Sequence, residues 1–388
     1  MDKSLFNSNS LGKLIKINIH DTIDYAFIPT ALASDWEMPN YLWPLLSTAK
    51  EELARLDGVG RHMPNYELLL RPLQQREALK SSSLEGTYAT PEQLLLFAIE
   101  PREPKSSKDP VNSWKEVSNY SRALRIGQEL LKDIPISLRL IKALHNELLK
   151  GVRGDNKNPG NFRKTQVHIG SDRRFIPPPP IKIMDCLNDL ELYIHKENNL
   201  DPLILSFMVH YQFETIHPFV DGNGRIGRLL LSLMIFQNCG LKSPWLYLSA
   251  FFEKYKDEYI KYLFEVSSKG SWDNWLAFCL RATIYQAKDA IKRCDQLLIL
   301  KDKYSKIIME RKQNVRLNKI IEMLFEYPVF TISQVSKWLN VSYPTARNDV
   351  MKLIKLNLIV KSNITHGQSK FYIAPEILGI AYNEYFDE

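Results

Sequence analysis

Apolar residues recur at helical spacing over most of this chain. The stretch YELLLRPLQQREALKSSSLEGTY (66–88) reads as helix from beyond Pro72, with Leu73, Arg76, Ala78, Leu79 and Leu84 compatible with one buried face. PREPKSSKDP (101–110) cannot propagate a helix and reads as an exposed loop. Helical spacing resumes over Trp114–Lys132 and Ser137–Lys150, where Ser137 suits an N-cap. It dominates again from Ile181 to Ala290, broken at His217–Gly224 and at Gly240–Trp245. Residues 1 to about 65 mix short apolar runs with turn formers and show no repeat.

Two segments follow other periods. Gln166-Val167-His168-Ile169 alternates, Gly170-Ser171-Asp172 can turn, and Arg174-Phe175-Ile176 can return, which predicts a short hairpin. Pro177–Pro180 lack backbone donors and end that ladder. Lys292–Leu317 reads as a charged connecting helix. Beyond it, residues 331–360 read helix, turn, helix, and LIVKSNITHGQSKFYI reads as a hairpin turning at Gly367; that order predicts a winged helix-turn-helix.

Composition narrows the class. At 388 residues and 45% hydrophobic content, two or three folded domains are expected. Cys186, Cys239, Cys279 and Cys294 are far apart and form no CxxC pair, so neither a disulfide scaffold nor a structural zinc site is expected. The start, MDKSLFNSNS, has no apolar signal region, and the longest apolar stretch, Leu229–Phe236, is too short for a bilayer. A soluble cytoplasmic protein with no membrane association is the expectation. The balance of 51 basic and 44 acidic residues, +7, suits nucleotide, nucleic acid or acidic protein partners and selects none.

The string HPFVDGNGRIGR (217–228) carries the chemistry. It joins a candidate base (His217), a hard-metal carboxylate (Asp221), an amide between two glycines (Gly222, Asn223, Gly224) and two arginines three apart, directly before a helix. Free N–H groups at a helix start bind anions, and glycines let a phosphate approach the main chain. Arg225 and Arg228 are spaced to reach one polyphosphate. Gly222, Gly224 and Gly227 also satisfy GxGxxG. That fingerprint needs a preceding strand and an acidic residue about 20 positions on, yet a helical segment precedes the string and no Asp or Glu falls between Arg228 and Glu253. The GK[ST] ending of a Walker A loop is missing too.

This string resembles the signature of Fic-domain proteins, HxFx(D/E)GNGRxxR, at every specified position. The similarity runs to about residue 290 and takes in IPTALASDW and the hairpin before the prolines. The resemblance implies a mainly α fold, a Fic helical core with a β-hairpin flap plus a small C-terminal winged helix-turn-helix domain. The divisions are then 1–110 (N-terminal region with an inhibitory helix at about 73–88), 111–290 (catalytic core), 291–317 (connecting helix) and 318–388 (winged helix).

It also implies a protein adenylyltransferase that moves AMP from ATP to a Ser, Thr or Tyr hydroxyl of a target protein, including itself. His217 would take the hydroxyl proton, and Asp221 would place Mg²⁺ or Mn²⁺ on the phosphates. Gly222, Asn223 and Gly224 would hold the α-phosphate, and Arg225 and Arg228 the β- and γ-phosphates. Gly227 belongs to the same nucleotide-binding loop, and Phe219 would pack beneath it. Doc-type phosphotransferases depart from the GNGR core that this chain keeps, which favours AMP transfer.

Further roles follow from the same likeness. Val167, His168 and Ile169 would form the edge of a target-docking flap. Ser81 to Gly86, SSSLEG, resembles the inhibitory motif (S/T)xxxE(G/N), with Ser81 and Glu85 on one helical face and Glu85 reaching Arg228. Reverse removal of AMP at the same site, and a homodimer, are also implied. Tyr255, in YLSAFFEKYKDEYIKYL, is the candidate adenine wall. Separately, the C-terminal block read as a winged helix would either offer Thr345, Arg347, Asn348 and Lys352 to DNA or serve as a dimerisation or protein-docking module, and the 13 basic against 9 acidic residues of 301–388, a local +4, do not decide between the two. A DNA-binding regulator with a nucleotide-sensing Fic domain is the alternative reading.

Overall fold

A computed structural model describes every residue except 20–21, 34–35, 63–66, 107, 171–173, 198, 312–313, 364–369 and 384–388. The chain opens with an antiparallel pair, β1 (Gly12–Ile19) and β2 (Thr22–Pro29), in the register Gly12↔Pro29 to Ile19↔Thr22. This pair sits where the sequence showed only short apolar runs. Eleven helices follow among the described residues: α1 (Trp43–His62), α2 (Glu67–Leu84), α3 (Pro91–Ile99), α4 (Val111–Leu130), α5 (Leu138–Leu148), α6 (Pro180–His195), α7 (Pro202–Ile216), α8 (Asn223–Asn238), α9 (Ser249–Lys254), α10 (Lys256–Lys269) and α11 (Trp272–Glu310).

Local chemistry sets several boundaries. The Ser137 hydroxyl accepts from the Leu140 N–H and starts α5, as its position predicted. Thr90 and Gln93 form a reciprocal capping box on α3, and the Asp201 carboxylate caps α7. Two expectations need new bounds. Pro72 stands inside α2 rather than before it. It removes one backbone donor, a defect of about 3 kcal/mol in an unsupported helix, and α2 continues through it packed against α4, α9 and α12. The connecting helix expected over 291–317 differs in its extent: residues 291–310 are the later part of α11, which runs unbroken over 39 residues, and Leu317 already belongs to the next element.

α7 and α8 lie side by side at the centre, and α7 is buried on almost every face, as an interior helix must be. The larger core surrounds them with α1, α2, α4, α5, α6 and the first half of α11. A second core forms on the later half of α11, from Cys294 to Ile308, with α12 (Val315–Glu326), β3 (Val329–Thr331), α13 (Ile332–Leu339), α14 (Tyr343–Lys355), β4 (Val360–Lys361), β5 (Phe371–Ile373) and α15 (Pro375–Tyr382). Its sheet has the antiparallel order β3-β5-β4. The expected helix, turn, helix is α13, Asn340 at φ 51°, and α14 capped by Ser342. The predicted turn at Gly367 lies outside the described residues.

Among the described residues between 165 and 176 the ladder is one antiparallel bridge, Ile169 with Phe175. Most of the predicted turn, Ser171 and Asp172, lies outside the described residues. The returning leg is pinned to the opening strands, because the Phe27 N–H donates to the Ile176 carbonyl at 2.8 Å. The four cysteines are free thiols. Among the described residues no helix is long and apolar enough to cross a membrane.

Candidate active site

The turn between α7 and α8 is built by residues that hold its backbone. α7 ends on His217, whose φ of 50° is left-handed, a conformation that costs a non-glycine residue about 1 kcal/mol or more. Arg163 keeps it there. This buried guanidinium meets no carboxylate among the described residues; Nε donates to the His217 carbonyl at 2.9 Å, Nη2 to the Pro178 carbonyl at 2.6 Å and Nη1 to the Thr165 carbonyl at 3.1 Å. Phe219 is fully buried, and its ring stacks on His145 at 3.7 Å. His145 Nδ1 accepts from the Gly160 N–H, so Nε2 carries the proton and donates to the Asp221 carbonyl, each at 2.9 Å. Burial pushes His145 down to about 4, which keeps it neutral.

His217 itself is half-buried. Nδ1 lies 3.3 Å from the Glu214 carbonyl, which can only accept, so Nδ1 holds the proton and Nε2 the lone pair. Burial pushes its pKa down to about 4, the pull of the Glu214 carbonyl notwithstanding. An unprotonated imidazole nitrogen is therefore present at neutral pH.

Gly222, at φ 80°, turns the chain into α8, whose first N–H groups have no acceptor within the helix. A carboxylate stands beside them. A Cβ added at Gly224 would lie 2.2 Å from Glu85 Oε1, so Glu85 rests directly on the first turn. Arg228 Nη2 donates to Glu85 Oε1 at 2.8 Å, and its Nε and Nη2 donate to the hydroxyl and carbonyl of Ser81, both at 2.9 Å. Burial works to raise the Glu85 pKa, but Arg228 first, then Arg225 and His217, hold it below the usual carboxylate value. The same pair pushes Arg228 up against its own burial. The Glu85 side chain is 39% exposed and that of Arg228 only 3%, so the carboxylate is the partner able to leave.

Other signature residues are committed differently from expectation. The Asn223 amide exchanges hydrogen bonds with the Phe219 N–H (2.8 Å) and carbonyl (2.9 Å), so this side chain braces the loop and is not aimed at a ligand. Arg225 is buried between Glu116 (3.2 Å) and Asp221 (3.3 Å), with Nε unpartnered. Gly227 leaves room for Glu214, whose Oε1 would lie 2.1 Å from a Cβ there. That Oε1 is buried without a partner, and burial pushes Glu214 up to about 8.

Among the described residues no group of three or more His, Cys, Asp or Glu side chains could hold a metal. Asp221 is a lone, partly exposed carboxylate beside an anion-ready helix start. That donor set fits a hard cation shared with substrate phosphates, not one caged by protein.

Part of this set meets in one cavity of about 260 Å³, which Asp221, Gly222, Asn223, Arg225 and Gly227 do not line. Glu85, His217, Gly224 and Arg228 line its polar part, and Ile169, Phe175, Ile260, Leu263 and Phe264 its apolar part. Tyr255 does not line it. At the joint of α9 and α10 its ring turns toward Phe251, at 4.6 Å, and borders a separate depression with Phe278 and Tyr285. Tyr259, one turn on, lines the cavity instead. Of the flap residues, Ile169 borders the cavity, Val167 is half-buried and His168 is exposed. The sequence reading missed Arg163, His145, Glu116 and Glu214; only Glu214, one helical turn before His217, stands near enough to the motif to have been noticed.

Two family models match this chain: the Fic/DOC family N-terminal model over residues 43–129 and the Fic/DOC family model over 135–235. Among curated proteins it is similar to protein adenylyltransferase Fic of Drosophila grimshawi, 32% identical over 130 residues, which are 33% of this chain and 26% of that protein. It is also 28% identical over 172 residues to a probable protein adenylyltransferase of Aquifex aeolicus, covering 44% of this chain and 51% of that one. The chain thus spans about a quarter of the first relative and about half of the second. In fold it is similar to a Fic family protein from Desulfovibrio desulfuricans G20 (TM-score 0.56, 18% identity, 87% of this chain and 97% of that one). Fic-1 from C. elegans gives TM-score 0.53 at 21% identity, over 65% and 73% of the two chains. The matches support a Fic-domain protein.

Proposed function

We propose that this chain is a protein adenylyltransferase restrained by its own Glu85. The observation that carries the reading is a single cavity that holds a neutral His217 and the open end of α8, with a carboxylate seated on that end. The similarity to proteins named adenylyltransferases supports the chemistry.

In this reading ATP lies with its phosphates on the N–H groups of Gly222 to Gly224 and on Arg228, and its adenosine on the apolar part of the cavity. His217 Nε2 takes the proton of a Ser, Thr or Tyr hydroxyl on the target. The oxygen forms a bond to the α-phosphorus as the bond to pyrophosphate breaks. Developing charge on the phosphoryl oxygens falls on helix N–H groups that are already oriented, which is where preorganised donors help most. Asp221 would hold Mg²⁺ or Mn²⁺, which supplies charge neutralisation on the phosphates when bound. Arg225 orients Asp221 from below and meets phosphate only if it leaves Glu116. The 165–176 segment, with Ile169 at the cavity rim, is suited to align an extended target by backbone pairing.

While Glu85 sits on Gly224 and Arg228, a γ-phosphate cannot occupy the same space. Incubation with α-³²P-ATP and the divalent ion tests both halves. Glu85→Gly is expected to raise labelling of protein, including the chain itself, and His217→Ala in that background to abolish it. Label that is unchanged by the first substitution removes the restraint, and label that survives the second removes the base.

The C-terminal elements support reading residues 318–388 as a winged helix-turn-helix. α14 exposes Arg347, Asn348, Lys352 and Lys355 on one side while Ala346, Val350 and Leu353 are buried on the other, as a groove-reading helix requires. DNA is the partner this face fits. A gel shift of the full chain with random duplex at stated salt is expected to be lost in Arg347→Glu/Lys352→Glu; an unaltered shift excludes this helix.

A further inference from the structure

A second cavity, of about 530 Å³, opens between α2, α3 and α4 and shares no residue with the one that contains His217. Five cationic side chains line it: Arg71, Arg102, Lys115, Arg122 and Arg125. Leu94 and Phe97, both buried, give it an apolar wall. We propose that it binds a small molecule bearing two or more phosphate groups.

The cations are only lightly engaged. Arg71 Nη1 meets Glu326 at 3.3 Å and Arg102 Nη1 meets Asp109 at 3.2 Å, each through one nitrogen of a five-donor group. Arg122 is shared between Glu147 and the Asn119 carbonyl oxygen of its amide. Lys115 meets Glu103 at 2.6 Å, but that carboxylate is 81% exposed and swings away at little cost, since such surface pairs are worth about 0–1 kcal/mol. Arg125 is exposed and has no acceptor among the described residues. On the same helix, the Ser121 hydroxyl lines the cavity, buried and without a hydrogen-bond partner.

Unused guanidinium donors that converge on one cleft match the acceptor-rich, multiply charged face of an oligophosphate better than that of a single carboxylate. The cavity volume falls within the range of small-ligand sites. The apolar wall gives a base or similar flat body somewhere to lie. Arg71 also stacks on Tyr327, 4.4 Å from the ring centre, and Gln75 receives the Tyr382 hydroxyl, so the cleft lies where the two cores meet.

Calorimetric titration of the full chain with inorganic pyrophosphate tests the proposal. Arg125→Glu is expected to weaken binding by about tenfold or more, and Arg125→Gln by a smaller factor, while Arg228→Ala leaves this site unchanged. Pyrophosphate binding that ignores both Arg125 variants, or that vanishes with Arg228→Ala alone, overturns the assignment. Arg125 is exposed, so both of its variants are expected to keep the wild-type melting temperature. ADP titrated in parallel identifies the source: tighter binding than pyrophosphate that depends on Arg125 means a nucleotide, and equal binding means free phosphates. Binding of neither sinks the proposal.

Discussion

Glu214 is the residue where local electrostatics has the plainest thermodynamic consequence. Its carboxyl is buried with one oxygen unpartnered, and its pKa is raised from 4.5 to about 8. The folded state therefore binds a proton that the unfolded state releases near 4.5. By linkage, wild-type stability attributable to this group is complete below about 4.5 and is lost as pH rises toward 8. Glu214→Gln keeps the shape and cannot ionise. Its melting temperature should match wild type near pH 4.5 and exceed it increasingly up to pH 8, and a constant difference across that range would refute the buried neutral acid. The histidines act in the opposite sense. His145, His217 and His210, a buried residue of α7, are depressed by burial to about 4, 4 and 3, so their contribution is present above 6.5 and lost as pH falls through those values. At this scale His217, Arg228 and Glu85 were legible because motif and spacing name them. His145 and Arg163 were not, because they serve backbone carbonyls far away in sequence, and nothing in a linear string records which carbonyl lacks a donor.

Among the elements, the interior helices were readable because an amphipathic or wholly apolar run of 15 or 16 residues admits few alternatives. The β1–β2 pair escaped because its strands are only partly covered, with exposed and half-buried positions intermixed, which blurs a period of two. Pro72 misled for the opposite reason: a strong local rule was overridden by packing on three neighbouring helices. The α7–α8 turn depends on a clamp from outside both helices. Arg163→Ala leaves the carbonyls of His217, Pro178 and Thr165 without that donor. With about 1–3 kcal/mol for each buried group left unpaired, part of it recovered by water, a loss of about 2–4 kcal/mol in urea unfolding is expected. Labelling by the variant should fall even at temperatures where it stays folded. Stability within about 0.5 kcal/mol of wild type would show that the turn holds itself.

For the whole molecule, the Fic-like half was legible well before the relation between the halves. The C-terminal block reads as a unit of its own, and a linker was expected before it. Instead α11 buries Trp275 to Ala290 in one core and Cys294 to Ile308 in the other, so no hinge separates them. Periodicity continues smoothly through such a shared helix and gives no sign that it changes hosts. One cooperative unfolding transition is expected by calorimetry; two well-separated transitions would show that the halves melt apart. The C-terminal half also grips α2 directly, through Arg71 to Glu326 and Gln75 to Tyr382, while Arg76 ties α2 to Asp289 on α11.

That grip has a consequence for any shortened form of the chain. In the proposed reading α2 is a bolt whose far end, at Ser81 and just beyond it at Glu85, would block the nucleotide's seat, and its near end is fastened by residues beyond 325. Cutting the chain after residue 310 would remove these two fastenings and leave Arg76 on Asp289 and the packing of α2 on α4 and α9 in place. A proteolytic clip or premature stop there should therefore yield a leakier enzyme, with self-labelling above that of the intact chain, and silence from such a fragment that still melts cooperatively would mean the bolt needs no fastening.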